Sequence, residues 1–389
     1  MPPLAILAGR VFTPLESISD AVVLTDRGKI LEIGTRNQFK LPEGTQTIAA
    51  NDKTLVPGFV DAHVHGAGGS DVMEADPAAL QRVAATLARF GTTSFVPTTV
   101  TASPDQTTAA IERIVSFARQ DSSWQPDLPM AEPLGIHLEG PFISPERRGV
   151  HPREWIASPS LELLARFTAN GAVKILTLAP ELPGALDVAA AARKQNIVVS
   201  MGHTDATYDQ AIEAIRQGAS HAAHVFNAMR PFSHRDSGVV GAVLTSPEVT
   251  AELIADGVHV DSAAMRILIA AKGVDRTILV SDGTAATGMP DGSYRLGTFE
   301  VTVSGGVCRN AEGRLAGSTL TLDRAIRTVV SLGILLKDAV QMATLNPARL
   351  LGVSHRKGVI APGADADLVL LDEKLAVCGV MARGAWFTA

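Results

Sequence analysis

The chain has 389 residues, 46% of them hydrophobic, which is room for one large catalytic domain with a sizeable core and a small accessory domain. Charged residues are 19%, with 34 basic against 40 acidic side chains and a net charge of −6; no basic excess is available to neutralise phosphates, so a nucleic-acid partner is excluded, while a small anion held by one or two arginines stays open. Two distant cysteines (Cys308, Cys378), a leading apolar run broken at Arg10 and no stretch near ~18 apolar residues argue against a disulfide framework, a signal segment and a membrane span, and the expected setting is the cytoplasm.

Residues 4–55 read as β, in short β-branched runs separated by turn residues such as Asp26-Arg27-Gly28. From residue 56 the texture changes. Short apolar strands are expected at 59–65, 94–100, 134–140, 174–180, 197–203, 221–227, 249–256 and 277–282. Ala-rich amphipathic segments separate most of them; in one, Ile111, Ile114, Val115 and Ala118 recur at helical spacing. Gly91, Gly171, Gly218 and Gly273 fall where helix C-caps belong. Residues 358–389 return to the β texture. Strands alternating with helices predict an α/β fold with a parallel sheet, and eight of them over about 230 residues fit a (β/α)8 TIM barrel. A doubly wound open sheet competes, but HVHGAGG after the first strand lacks G-x-G-x-x-G spacing. The two terminal segments, 1–55 and 356–389, are expected to form a small β-sandwich domain beside a barrel domain of 56–355.

Polar residues cluster at the C-terminal ends of the expected strands, the face on which barrel active sites lie. Strand 1 ends in Asp61-Ala62-His63-Val64-His65. Residues two apart in a strand point the same way, so His63 and His65 could share a metal, although such a pair also arises by chance. Strand 3 carries Glu139, costly to bury unpaired, so it reads as a metal ligand or as half of a core salt bridge. His137, two residues earlier, reads as supporting or structural, and His221 at the start of strand 6 points elsewhere by its spacing. Strands 5 and 6 offer His203 and His224, which with Glu139 make an open zinc-type set. Asp282 ends strand 8 and reads either as a turn or cap residue or as the general base. Loop residues Arg147, Arg148, His151, Arg230, His234, Arg235 and His259 could bind an anion or could be plain surface charge.

The motifs PGFVDAHVHG (57–66) and KGVIAPGADADLVLLD (357–372) resemble the opening and closing signatures of the amidohydrolase superfamily. HLEGPF (137–142), MGHTDAT (201–207), HVFNAM (224–229), ADGVH (255–259), LVSDGTAATGMPDG (279–292) and LAGS (315–318) are similar to the N-acetylglucosamine-6-phosphate deacetylase family within it. The resemblance implies that Glu139, His203 and His224 hold a principal divalent metal, with zinc expected and iron or manganese as alternatives. It implies that His63 and His65 hold a second, with Glu139 bridging, so one or two ions per subunit. Asp282 matches the catalytic acid–base, and His151 a histidine near the acyl carbonyl. Val150, Asn227, Ala228, Leu315, Ala316 and Gly317 match sugar-contacting positions. Arg235 and His259 match positions facing the sugar phosphate, Arg235 reaching in from a neighbouring subunit, which implies a homodimer. The superfamily's bridging carboxylated lysine has no place here, since Lys174 falls at the wrong end of its strand. The implied activity is deacetylation of an N-acetyl amino-sugar phosphate. A galacto epimer or a cyclic amide as substrate, and a non-catalytic barrel, are the alternatives.

Overall fold

The structure, a computed structural model, describes residues 2–13, 16–121 and 130–388. Eight strands follow one another around the central sheet, with a short ninth (Glu132–Pro133) paired beside the second: β1 (Phe59–Val64), β2 (Thr92–Thr99), β3 (Ile136–Glu139), β4 (Val173–Leu178), β5 (Val198–Met201), β6 (Ala219–Ala222), β7 (Thr250–Leu253) and β8 (Thr277–Leu279). Each pairs in parallel with its neighbour in sequence order. The sheet closes on itself where β1 meets β8. There the Asp282 N–H donates to His63 O at 2.9 Å, and the His65 N–H donates to Gly283 O at 2.7 Å. Buried Asp61 staples the same seam, its Oδ1 accepting from Ser281 N at 3.2 Å. The expected (β/α)8 barrel is therefore present, and its closure lays His63 and His65 beside Asp282.

Helices cover the outside. Helix Pro104–Asp121 buries Ile111 and Ile114, with Val115 packed against the same core. Gly91, Gly171, Gly218 and Gly273 all have positive φ at or just past helix ends, the conformation glycine adopts without a steric penalty. The strands themselves are almost wholly buried, as parallel strands under helices are, although β2 (TTSFVPTT) is rich in threonine and serine.

A second sheet of seven strands joins both termini, in the order Ala385–Thr388, Val377–Ala382, Leu368–Leu371, Gln46–Pro57, Leu4–Phe12, Ser17–Asp26, Lys29–Thr35. It has its own apolar core, including Ile6, Val23, Ile30, Leu55 and Leu368. Strand Gln46–Pro57 feeds directly into β1 through Gly58, where a Cβ would lie 2.1 Å from Thr93 Oγ1, so only glycine permits the approach. The sequence reading missed one element. After β8 the chain forms a three-stranded antiparallel sheet (Gly292–Leu296, Phe299–Ser304, Val307–Arg309) before the last helices. The expected strand at 221–227 is also corrected. It spans Ala219–Ala222, and the chain turns from residue 223 onward. Among the described residues, no helix is long and apolar enough to cross a membrane.

Candidate metal centre and active site

The C-terminal mouth of the barrel gathers the histidines and carboxylates. His63 and His65 end β1 with their rings 5.2 Å apart, both buried. Across the seam, Asp282 Oδ1 stands 3.2 Å from His65 Nε2 and 3.6 Å from His63 Nε2. Glu139, the last residue of β3, occupies the centre. Its Oε1 is 2.9 Å from His224 Nε2, 3.1 Å from His203 Nε2 and 3.4 Å from His63 Nε2. Its Oε2 is 3.2 Å from His151 Nε2 and 3.4 Å from His65 Nε2. Lys174 lies near the start of β4, away from this mouth.

His203, His224 and Asp282 sit just past their strands at φ values of 46°, 26° and 50°. Left-handed backbone is uncommon for residues with a Cβ, and it persists where the surroundings enforce a functional geometry. Here it swings each side chain off the strand axis towards Glu139. Straight strand geometry could not have revealed it.

The ring tautomers decide what the cluster can bind. His63 Nδ1 donates to Glu252 Oε2 at 2.9 Å, His65 Nδ1 to Thr98 O at 2.9 Å and His203 Nδ1 to Arg147 O at 2.9 Å. Each partner only accepts, so each Nδ1 carries a hydrogen and each Nε2 is turned onto the site, where its lone pair is available to a cation, proton or metal ion. These lone pairs face carboxylate oxygens, acceptor against acceptor, and buried His63 Nε2 has no hydrogen-bond donor. A cation resolves that conflict. Ligand atoms of His63, Glu139 and His224, and of His63, His65 and Asp282, each lie within 4.8 Å of one another. The nitrogen and oxygen donor set suits zinc, iron or manganese, and the residues present fit a divalent ion.

His151 is the exception. Its Nδ1 accepts from Thr101 N at 3.2 Å and from the Thr101 hydroxyl at 2.8 Å, so Nε2 carries the hydrogen and donates to Glu139. Burial, followed by the nearby His203, pushes its pKa down to about 4, so it is a neutral donor near pH 7. His65 behaves oppositely. Burial alone would depress His65, but Asp282 and Glu139 outweigh it and raise its pKa to about 9, so a proton and a metal ion compete for its Nε2 lone pair. Burial would raise Asp282, yet the imidazoles of His65 and His63 hold its carboxyl below the usual range. The cluster thus draws positive charge to itself.

Two further groups underlie the site. His137 is buried with its Nε2 2.7 Å from Thr177 Oγ1, its ring edge-on to His63 and its pKa lowered to about 3, mainly by burial. Glu252, in the middle of β7, was missed by the sequence reading. The signal was there: a glutamate inside the apolar strand TAEL, the same feature that singled out Glu139.

A cavity opens above the cluster. Val150, His151, Asn227, Ala228, Leu315, Gly317 and His259 line it. His259 Nδ1 is bound to Asp256 Oδ2 at 2.7 Å, which leaves Nε2 free. Gly317 has φ 55° and would put a Cβ 2.9 Å from Asp282 O. Val100 and Leu296, which the sequence reading did not name, also line the cavity. Ala316 does not line it, being buried in the core under the three-stranded sheet. Arg235 is exposed on the loop after β6, outside this chain's own cavity. A larger depression is bounded by Met73, Asp76, Arg113 and Arg295 and, among the described residues, holds no such cluster.

Residues 54–387 match the profile of the Amidohydrolase family. The N-acetylglucosamine-6-phosphate deacetylase of Bacillus subtilis is 37% identical over 377 residues, 96% of this chain and 94% of that protein. The N-acetylgalactosamine-6-phosphate deacetylase of Escherichia coli O157:H7 is 40% identical over 333 residues, 85% and 86% respectively. A solved mutant N-acetyl-D-glucosamine-6-phosphate deacetylase from Mycobacterium smegmatis, in complex with N-acetyl-D-glucosamine-6-phosphate, superposes with a TM-score of 0.89 at 36% identity over all of both chains. With its barrel, terminal sheet and metal-type cluster, the chain belongs to the amidohydrolase family, in the group formed by these amino-sugar phosphate deacetylases.

Proposed function

We propose that this protein hydrolyses the acetamide of N-acetylglucosamine 6-phosphate to glucosamine 6-phosphate and acetate, using zinc or a similar divalent ion. The observation that carries the reading is the set of Nε2 atoms, each ring fixed through its Nδ1, turned onto Glu139 beside Asp282. Glu139, His203 and His224 would hold the principal ion, and His63 and His65 with Glu139 would hold a second where two are bound. A divalent ion held there would supply Lewis acidity, making water nucleophilic at neutral pH and polarising the acyl carbonyl. Asp282 takes the proton of the attacking water as the C–O bond forms and the carbonyl π bond opens onto the acyl oxygen, then gives that proton to the amine nitrogen as the carbonyl re-forms and the C–N bond breaks. His151 turns its Nε2 hydrogen from Glu139 to the acyl oxygen, where negative charge develops. Asn227, Ala228, Leu315 and Gly317 orient the sugar, with Val150 contributing backbone and Ala316 its neighbours' geometry.

His259 and an Arg235 from a second subunit bind the phosphate, and the protein works as a homodimer. The exposed position of Arg235, outside its own cavity, supports donation to a partner. Residues 1–55 with 356–389 form the accessory domain and 56–355 the catalytic one. The free thiols Cys308 and Cys378 suit a reducing cytoplasm. The galacto epimer is the second reading, favoured by the Escherichia coli relative. Deacetylation kinetics with the gluco and galacto N-acetylhexosamine 6-phosphates and their unphosphorylated forms, on protein of measured metal content, tests the proposal. Equal turnover with and without the phosphate would refute the sugar-phosphate assignment.

A further inference from the structure

Glu252 takes no part in the chemistry just described, yet it is fully buried beneath it. Three donors end on this one carboxylate. Oε2 accepts from His63 Nδ1 at 2.9 Å and from the backbone N–H of His224 at 3.0 Å. Oε1 accepts from His221 Nε2 at 2.9 Å, and the other nitrogen of His221 is 2.7 Å from Thr250 Oγ1. A buried carboxylate is tolerated only when such partners satisfy it. What distinguishes this one is which partners it has. A single oxygen atom grips a residue of the β1 histidine pair and the backbone of His224, a ligand from another strand end that approaches the same oxygen of Glu139. The second contact falls on the left-handed turn at His224, and the Val225 N–H is tied to the Glu252 carbonyl at 3.1 Å.

We propose that Glu252 is the positioning residue that couples the two metal sites, locking His63 as an Nε2 ligand and anchoring the turn that aims His224. The inference rests on the metal reading above. A carboxylate behind a ligating imidazole fixes its tautomer, orients the ring and raises its basicity, and losing such a partner weakens metal affinity 10–100-fold. His63 has no alternative, because its ring is wholly buried and its Nε2 faces the site.

Glu252→Gln is the discriminating variant. Its amide oxygen can still accept from His63 and His224, while its NH2 faces His221, which can change tautomer and donate to Thr250 instead. The fold is preserved and the negative charge behind His63 is removed. Three measurements are made on the metal-loaded, full-length protein: ions per subunit, retention against a competing chelator, and the visible spectrum of the cobalt form. Glu252→Gln is expected to lose the His63-dependent ion to chelator 10–100-fold more readily and to shift the cobalt bands. His221→Gln perturbs only the far oxygen, and is expected to lower Tm while leaving spectrum and retention unchanged. If His221→Gln reproduces the Glu252→Gln effects, the role is general packing and the proposal falls. His63→Asn and His65→Asn calibrate the site itself. If they lose an ion while Glu252→Gln retains metal as the parent does, the metal reading stands and the proposal is overturned; if they lose nothing, both fall.

Discussion

Two buried clusters of charge lie at opposite ends of the barrel, and they are built on opposite rules. At the N-terminal end, where the terminal sheet joins β1 and the segment before β3, Lys357 is wholly buried among three carboxylates. Its Nζ is 2.6 Å from Glu132 Oε2, 2.6 Å from Asp367 Oδ2 and 3.0 Å from Asp365 Oδ2. Arg356 adds contacts of 2.7 Å to Glu132 and Asp365. Cations and anions interleave there, and every lone pair in these contacts meets a proton. At the C-terminal mouth, acceptors face acceptors around Glu139, and His63 Nε2 has no donor. Burial alone therefore does not mark the functional cluster. The mark is a charge arrangement completed only by something from outside the chain.

The sharpest way to break this comparison is to perturb one member of each cluster and read both activity and stability. Asp282→Asn keeps the shape of the mouth but cannot take a proton. It is expected to bind metal normally and to lose about 10³–10⁴-fold in kcat, the upper part of what a general acid–base contributes. Metal analysis and single-turnover kinetics check it, and normal turnover would remove Asp282 from the mechanism. Lys357→Met strips the cation from the other cluster and leaves buried carboxylates uncompensated. It should lower unfolding free energy by about 3–5 kcal/mol, read in urea, with kcat of the folded enzyme unchanged. A loss of kcat at temperatures where the variant stays folded would show that the two ends are not independent.

The two clusters were unequally legible. The mouth could be read because its ligands fall at strand ends, where alternation and the cost of a buried charge point to function. His63, His65, Glu139 and Asp282 each follow from that local rule. The lysine cluster could not be read, since Glu132 and Lys357 are 225 residues apart and meet only through the topology of the terminal sheet. The turn at His224 was hidden for a different reason. HAAHVFN has the apolar texture of a strand, and only the closed barrel shows that the chain leaves the sheet at residue 222. Glu252 and the three-stranded sheet at 292–309 carried readable patterns, a buried glutamate and a period-two alternation in TFEVTV, but lay outside the expected motifs.

The pH dependence of stability separates the clusters further. Burial would raise the Glu132 carboxyl, but Arg356 and Lys357 outweigh it and hold the pKa at about 2. A depressed folded pKa contributes stability that is present above the unfolded value of 4.5 and is lost as pH falls towards 2. The contribution is about 3 kcal/mol at neutral pH. Asp367 works against it, because burial raises its carboxyl. Urea titrations of the parent and Glu132→Gln between pH 7 and 3 should show a gap that is largest at pH 7 and narrows below about pH 4.5. A gap independent of pH would mean that Glu132 is not held ionised by its partners.

Arg235 belongs to neither cluster, and for that reason it tests whether the mouth is complete within one chain. Its guanidinium is exposed and makes no hydrogen bond or ion pair among the described residues. An arginine so placed has no structural task that its removal would damage. Arg235→Gln should leave Tm and the turnover of unphosphorylated substrate unchanged. It should raise KM for the 6-phosphate about 10–100-fold, the loss of a charge-assisted hydrogen bond of about 1.5–3 kcal/mol. If the arginine reaches a neighbouring subunit, mixing Arg235→Gln with Asp282→Asn should restore activity. One site of each mixed dimer then combines an intact Asp282 with an arginine from its partner. Mixing without recovery, between subunits shown to exchange, would return Arg235 to its own chain and leave the phosphate to His259.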